Sequence, residues 1–246
     1  MSYFIVFAGK GGTGKSSLAA LTVRYFKQKN IGPILAVDAD PNFCLPELLG
    51  ISTFETLAEV RDKALQKKPE GMSLDDWLEV EINRIVEESE GFDLLVMGRP
   101  EGSGCYCAVN NVLKRILQEI SEQYNYIVVD NEAGMEHISR GIVNKIDLLF
   151  IVGIPAKSSI QAALRINGLI KELDIFPQKK IFIINQAIDG ITETAEIKEY
   201  FEKVLYVDFD LNLKKLSERG DSIFSLKPDS EIIKSFYKIL EEEIGR

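Results

Sequence analysis

Basic residues, histidine and cysteine are all scarce in this 246-residue chain, and long apolar runs are missing altogether. Its 29 lysines and arginines face 38 aspartates and glutamates, giving a formal net charge of -9. That is the wrong sign for a surface that neutralises nucleic-acid phosphates. The last segment, Asp229 to Arg246, is amphipathic, but Glu241, Glu242 and Glu243 stand where a membrane-surface helix would carry lysines. The longest apolar stretches, such as Leu148 to Ile154, are strand-length and far short of the roughly 20 residues of a membrane span. The chain has a single histidine, His137, and three cysteines, an odd number that together with the expected cytoplasmic setting argues against a disulfide framework. No repeat, low-complexity block or proline-rich linker divides the chain, and no leader is expected, because residues 3–8 already form a strand pattern. These absences predict one globular domain over residues 1–246, cytoplasmic, with neither nucleic acid nor membrane as partner.

What is present is regular. Short aliphatic runs alternate with helical patterns, which predicts an α/β domain with a mostly parallel sheet of seven or eight strands and helices on both faces. Strands are expected near 3–8, 34–38, 92–97, 125–130, 147–152, 179–185 and 204–208. Helices are expected near 15–29, 55–67, 73–90, 108–123, 157–173, 193–203 and 229–244. Ligands of such sheets bind at the C-terminal ends of the strands.

The first strand runs into Gly9-Lys10-Gly11-Gly12-Thr13-Gly14-Lys15-Ser16, which fits G-x-x-x-x-G-K-[ST] between a strand and a helix. Glycines let successive N–H groups converge on one anion, and the following helix N-terminus adds partial positive charge. A polyphosphate seat is therefore expected over Gly11, Gly12, Thr13, Gly14, Lys15, Ser16 and Ser17. Two further strand ends carry carboxylates: Asp38-Ala39-Asp40-Pro41 and Asp130-Asn131-Glu132-Ala133-Gly134. A strand-terminal aspartate after Tyr126 to Val129 suits a magnesium-supporting role, with Asp130 acting directly or through water. Magnesium prefers oxygen ligands and keeps waters, so Ser16 and one carboxylate beside two phosphates suffice.

Beyond the strand at 92–97 lies Gly98-Arg99-Pro100-Glu101-Gly102-Ser103-Gly104-Cys105-Tyr106-Cys107. In extended backbone, residues two apart project to one side, so Cys105 and Cys107 form a two-toothed chelator for a soft or borderline cation such as nickel or zinc. Two thiolates do not complete a site. Either two copies of the chain donate a pair each on a two-fold axis, or Cys44 and His137 join the pair within one chain.

The second lysine of the glycine loop, Lys10, makes it a deviant Walker A motif, and the chain resembles the MinD/ParA/nitrogenase-iron-protein ATPases. That resemblance implies ATP and ADP as nucleotides. It implies that Lys15 neutralises the β and γ phosphates and that Lys10 does so from the opposite subunit of a homodimer. Asp40 would orient the attacking water, Asp38 would belong to the same switch, Gly134 would lie near the γ-phosphate and Asn185 would contact adenine. The family's proline turn after the next strand is missing from Tyr206-Val207-Asp208-Phe209-Asp210.

The glycine loop, Asp38 to Pro41, the GRPEGSGCYC segment with Asn110, and Asn131 to His137 together resemble the CooC family over nearly the whole chain. This implies a nickel-associated ATPase that serves a nickel enzyme, carbon monoxide dehydrogenase or acetyl-CoA synthase. A regulatory MinD/ParA switch without metal and a four-iron-cluster carrier are the competing classes.

Overall fold

The computed structural model describes residues 2–67, 71, 84–99, 106–131, 145–187 and 195–245. Its strands are β1 (Tyr3–Gly9), β2 (Ile34–Ala39), β3 (Val86–Ser89), β4 (Phe92–Val96), β5 (Tyr126–Asn131), β6 (Leu148–Gly153), β7 (Lys179–Ala187) and β8 (Val204–Asp208). The helices among the described residues are α1 (Lys15–Gln28), α2 (Cys44–Leu48), α3 (Leu57–Lys67), α4 (Tyr106–Ile120), α5 (Lys157–Glu172), α6 (Ala195–Tyr200), α7 (Leu211–Arg219) and α8 (Glu231–Ile244).

The strands make one eight-stranded sheet in the order β3-β4-β2-β5-β1-β6-β7-β8. Every neighbouring pair is parallel except β3 with β4. Runs such as Ile5 to Ala8 and Leu148 to Val152 are apolar at every position because both sheet faces are covered. On one face Ile5, Phe7, Ala36, Val128, Phe150 and Ile183 pack beneath α1, α2, α7 and α8. On the other, Val6, Val37, Val129, Ile151 and Phe182 pack beneath α3, α4, α5 and α6. As expected from its pattern, α8 buries Ile232, Ile233, Phe236 and Ile239.

Each of the seven expected strands is found, and the departures have local causes. Of the helix expected over 73–90, residues 73–83 lie outside the described residues, Arg84 and Ile85 are helical, and Val86–Ser89 is a strand instead. Ser89 pairs with Phe92, so Glu90 and Gly91 form a two-residue turn and β3 is the antiparallel edge of the sheet. Helix α4 starts at Tyr106, earlier than expected. Helices α2 and α7 and the 3₁₀ turn Ile223–Ser225 were not anticipated. The signal for α7 was present: Asp210 caps it by accepting a hydrogen bond from Leu213 N, and Gly220 ends it in left-handed backbone. Its short length and only two buried residues, Leu213 and Leu216, left the periodicity weak.

Arg24 ties α1 to the C-terminal region. Its side chain is 1% exposed, and Nη1 and Nη2 donate to the carbonyls of Ile223 (2.5 Å) and Leu226 (2.8 Å). Burial lowers its pKa, and the two carbonyls stand in for a carboxylate partner.

Phe150 is fully buried at the centre of the α1 face, its ring 5.2 Å from that of Phe7. Phe150→Ala should lower stability by about 3–5 kcal/mol in urea denaturation, with the slope unchanged.

Candidate nucleotide site

The glycine loop connects β1 to α1 at the C-terminal rim of the sheet. Gly14 is the N-cap of α1 with φ 89°, and no side chain caps the helix. The first turn of α1 also lacks an acidic residue. The helix therefore presents free N–H groups to an anion. The loop is held from inside: Thr13 Oγ1 donates to Lys10 O at 2.8 Å. A Cβ on Gly9 would lie 2.2 Å from the carbonyl oxygen of Val152, so only glycine lets β1 and β6 approach there.

A cavity of about 520 Å³ opens over this loop. Gly11, Gly12, Gly14, Lys15, Ser16 and Ser17 form its floor, while Thr13 is buried behind them. Asp40, Asn42, Cys44 and Glu47, from the segment after β2, form one wall. Asn185 and Gln186 at the end of β7 and Asp208 to Asp210 after β8 form the other. Lys15 is 5% exposed, whereas Lys10 is exposed and its Nζ lies 3.4 Å from Ser158 Oγ in the first turn of α5. The sequence expectations thus converge at one rim for Lys10, Lys15, Ser16, Asp40 and Asn185. Gln186 and the α7 entrance were missed, although Asp208 and Asp210, flanking Phe209, were a readable polar cluster.

Beneath the loop lie two carboxylates. Asp38 and Asp130 are register partners on β2 and β5, both fully buried on the α1 face. Asp38 is committed to the backbone: Oδ1 accepts from Asp40 N (2.8 Å) and Oδ2 from Leu45 N (3.0 Å), which shapes the turn into α2. Neither oxygen of Asp130 has a hydrogen bond of ordinary geometry among the described residues. Burial pushes the Asp130 carboxyl up to about 7, against the opposing pull of Ser16 and Lys15. Asp38 moves the same way, through burial and then the charge of Asp130. Unpartnered oxygens beside Ser16 fit a hard divalent cation: Ser16 and Asp130 would hold magnesium, which would supply positive charge against the phosphates. Asp40 lies at the cavity edge, with Oδ1 accepting from Asn42 N and Nδ2 at 2.9 and 2.8 Å.

Cys44 also lines the cavity, where burial and the charges of Asp38, Asp40, Asp130 and Glu47 push its thiol up to about 11. These surroundings favour the protonated thiol in the absence of a cation. Cys107 lies in the first turn of α4, so the extended backbone assumed for the cysteine pair does not hold at that residue. Cys105, Gly134 and His137 lie outside the described residues. Among the described residues, no three His, Cys, Asp or Glu side chains form a group that could hold a metal ion. No helix among them is long and apolar enough to cross a membrane.

The raised carboxylates carry a pH signature. An acid whose folded pKa exceeds its unfolded value contributes stability that is complete below the unfolded pKa and lost as pH rises through the folded one. The ligand-free protein should lose stability between about pH 4 and 8 on this account. Asp130→Asn should flatten that slope, stabilise the ligand-free protein at pH 8 by about 1–3 kcal/mol, and remove the magnesium dependence of nucleotide binding. Thermal melts across pH and magnesium titrations check this.

Comparison with known proteins agrees with this geometry. Residues 4–223 match the model of the CobQ/CobB/MinD/ParA nucleotide binding domain. An uncharacterized ATP-binding protein of Methanocaldococcus jannaschii, MJ0685, is 34% identical, covering 98% of both chains. The carbon monoxide dehydrogenase accessory protein CooC of Rhodospirillum rubrum is 28% identical, covering 91% of this chain and 90% of its own. In fold, the crystal structure of a ParA family ATPase from Chlorobium tepidum matches with a TM-score of 0.74 at 22% identity, covering 96% of each chain. With a phosphate loop on β1 and buried carboxylates on β2 and β5, the chain belongs to the CobQ/CobB/MinD/ParA family of nucleotide-binding ATPases.

Proposed function

We propose that this ATPase works as a homodimeric metallochaperone, binding nickel through cysteine pairs shared by two subunits and delivering it to a nickel enzyme. The observation that carries the reading is the Cys105-Tyr106-Cys107 motif, in a chain similar to CooC over nine-tenths of its length. The client implied by that relative's name is carbon monoxide dehydrogenase, with acetyl-CoA synthase as a chemically similar alternative. Zinc is the rival ion, because thiolate sites take either and supply decides.

The geometry supports a link between nucleotide and metal. The segment leading to the cysteines leaves the sheet beside the first switch: Met97 N donates to Asp38 O at 2.8 Å. Asp38 in turn holds the backbone of Asp40 and Leu45. Movement of the Asp40 segment on nucleotide binding is therefore felt at the start of the cysteine loop.

In the reaction we assign, Lys15 and the loop N–H groups bind the β and γ phosphates, and Ser16 and Asp130 would hold magnesium, which would supply positive charge against them. Asp40 orients the attacking water. Lys10 leaves Ser158 and reaches the nucleotide of the opposite subunit, and Gly134 approaches the γ-phosphate. Phosphoryl transfer needs positioning and charge stabilisation more than covalent chemistry, so these groups suffice. Closure of the dimer then brings four thiolates together, and loss of the γ-phosphate contacts releases the cation.

Two sets of variants test the scheme. Cys105→Ser with Cys107→Ser should abolish nickel and zinc binding in anaerobic metal analysis while leaving ATP affinity within about threefold of wild type. The unmodified protein should hold about half an ion per chain. A full equivalent on a monomer would refute the shared site, and no bound metal under any nucleotide would favour a regulatory switch. Lys15→Ala should weaken ATP binding itself. Lys10→Ala should spare binding but reduce dimer formation and lower turnover by about 100-fold, read by light scattering and phosphate release.

A further inference from the structure

Asn185 is 5% exposed, and its Nδ2 donates to the carbonyl oxygen of Thr13 at 2.8 Å. The contact is specified from both sides. From the loop side, Gly14 passes so close that a Cβ there would lie 2.3 Å from Asn185 Nδ2. From the sheet side, Asn185 follows Ile183 by two residues and so projects to the α1 face, beneath the start of that helix. Regular pairing stops immediately afterwards: Asn185 pairs with Val207 and Ala187 with Asp208, leaving Gln186 as a bulge with φ 56°. Bulges beside functional sites aim side chains and terminate pairing.

We propose that Asn185 is a positioning residue of the phosphate loop, fixing the orientation of the Thr13–Gly14 peptide that receives the polyphosphate. The peptide is planar, so the Thr13 carbonyl and the Gly14 N–H point in opposite directions. Holding that carbonyl on Asn185 keeps its lone pairs off the anion and leaves the Gly14 N–H pointing the other way. Thr13 is 1% exposed, so water does not replace a lost partner, and a loop without Asn185 rearranges to satisfy the carbonyl. This role rests on the nucleotide site and not on the metal-delivery reading. It differs from an adenine contact, because it acts on the triphosphate whatever base is attached.

Titration calorimetry with magnesium separates the two roles, using inorganic tripolyphosphate, ATP and GTP on wild type and Asn185→Leu, which keeps the shape but lacks the donor. The expected result is that tripolyphosphate and ATP weaken by the same factor, about tenfold, with the ATP-over-GTP preference unchanged. The proposal is overturned if tripolyphosphate binding stays within about twofold of wild type, whether or not ATP weakens. Asn185→Ala, which cannot overpack the site, is measured the same way and carries the same expectation should the leucine variant fold poorly. Wild-type protein that binds none of the three ligands would instead overturn the nucleotide site itself.

Discussion

Two carboxylates, Asp38 and Asp130, are buried side by side under the phosphate loop, and the local backbone is shaped by that electrostatic tension. Asp38 resolves its share by accepting two backbone N–H groups, and those bonds shape the turn that carries Asp40 and starts α2. Asp130 has no backbone partner of that kind among the described residues and is relieved only by Ser16 and Lys15. A carboxylate buried beside Ser16 and Lys15 is the position at which added positive charge would be most favourable.

The same acidic surroundings act on Cys44. Burial, and then the charges of Asp38, Asp40, Asp130 and Glu47, favour the protonated form of Cys44. It lines the nucleotide cavity, whereas the proposed metal pair lies beyond β4. That pair is linked to the nucleotide through backbone, since β4 lies next to β2 and its exit is bonded to Asp38 O. The start of the cysteine segment is thus one backbone hydrogen bond away from the strand that carries Asp38.

Legibility in the sequence followed the range of the interactions. The central strands were readable because burial on both faces makes them apolar at every position. The phosphate loop was readable because its glycines answer to local backbone geometry. By contrast, β3 belongs to a short hairpin whose Val86-Glu87-Glu88-Ser89 carries two charges, so nothing in its composition separates it from a helix end. Helix α2 is only five residues long, starts after Phe43 in left-handed backbone, and owes its position to the bond from Leu45 N to Asp38. Cys107 was assigned extended backbone from spacing alone, whereas helix α4 has already begun there.

Local pattern alone determined the α/β class, the polyphosphate seat from Gly9 to Ser16, the acidic surface and the presence of a paired thiol motif, because each depends on residues a few positions apart. Tertiary structure decided which of these meet. The order β2-β5-β1 sets Asp38 against Asp130, although 92 positions separate them in sequence. The order β1-β6-β7, with the bulge at Gln186, brings Asn185 against Thr13 across 172 positions. Strand order is a property of the assembled sheet, fixed by which crossovers pack together, and no short-range periodicity encodes it.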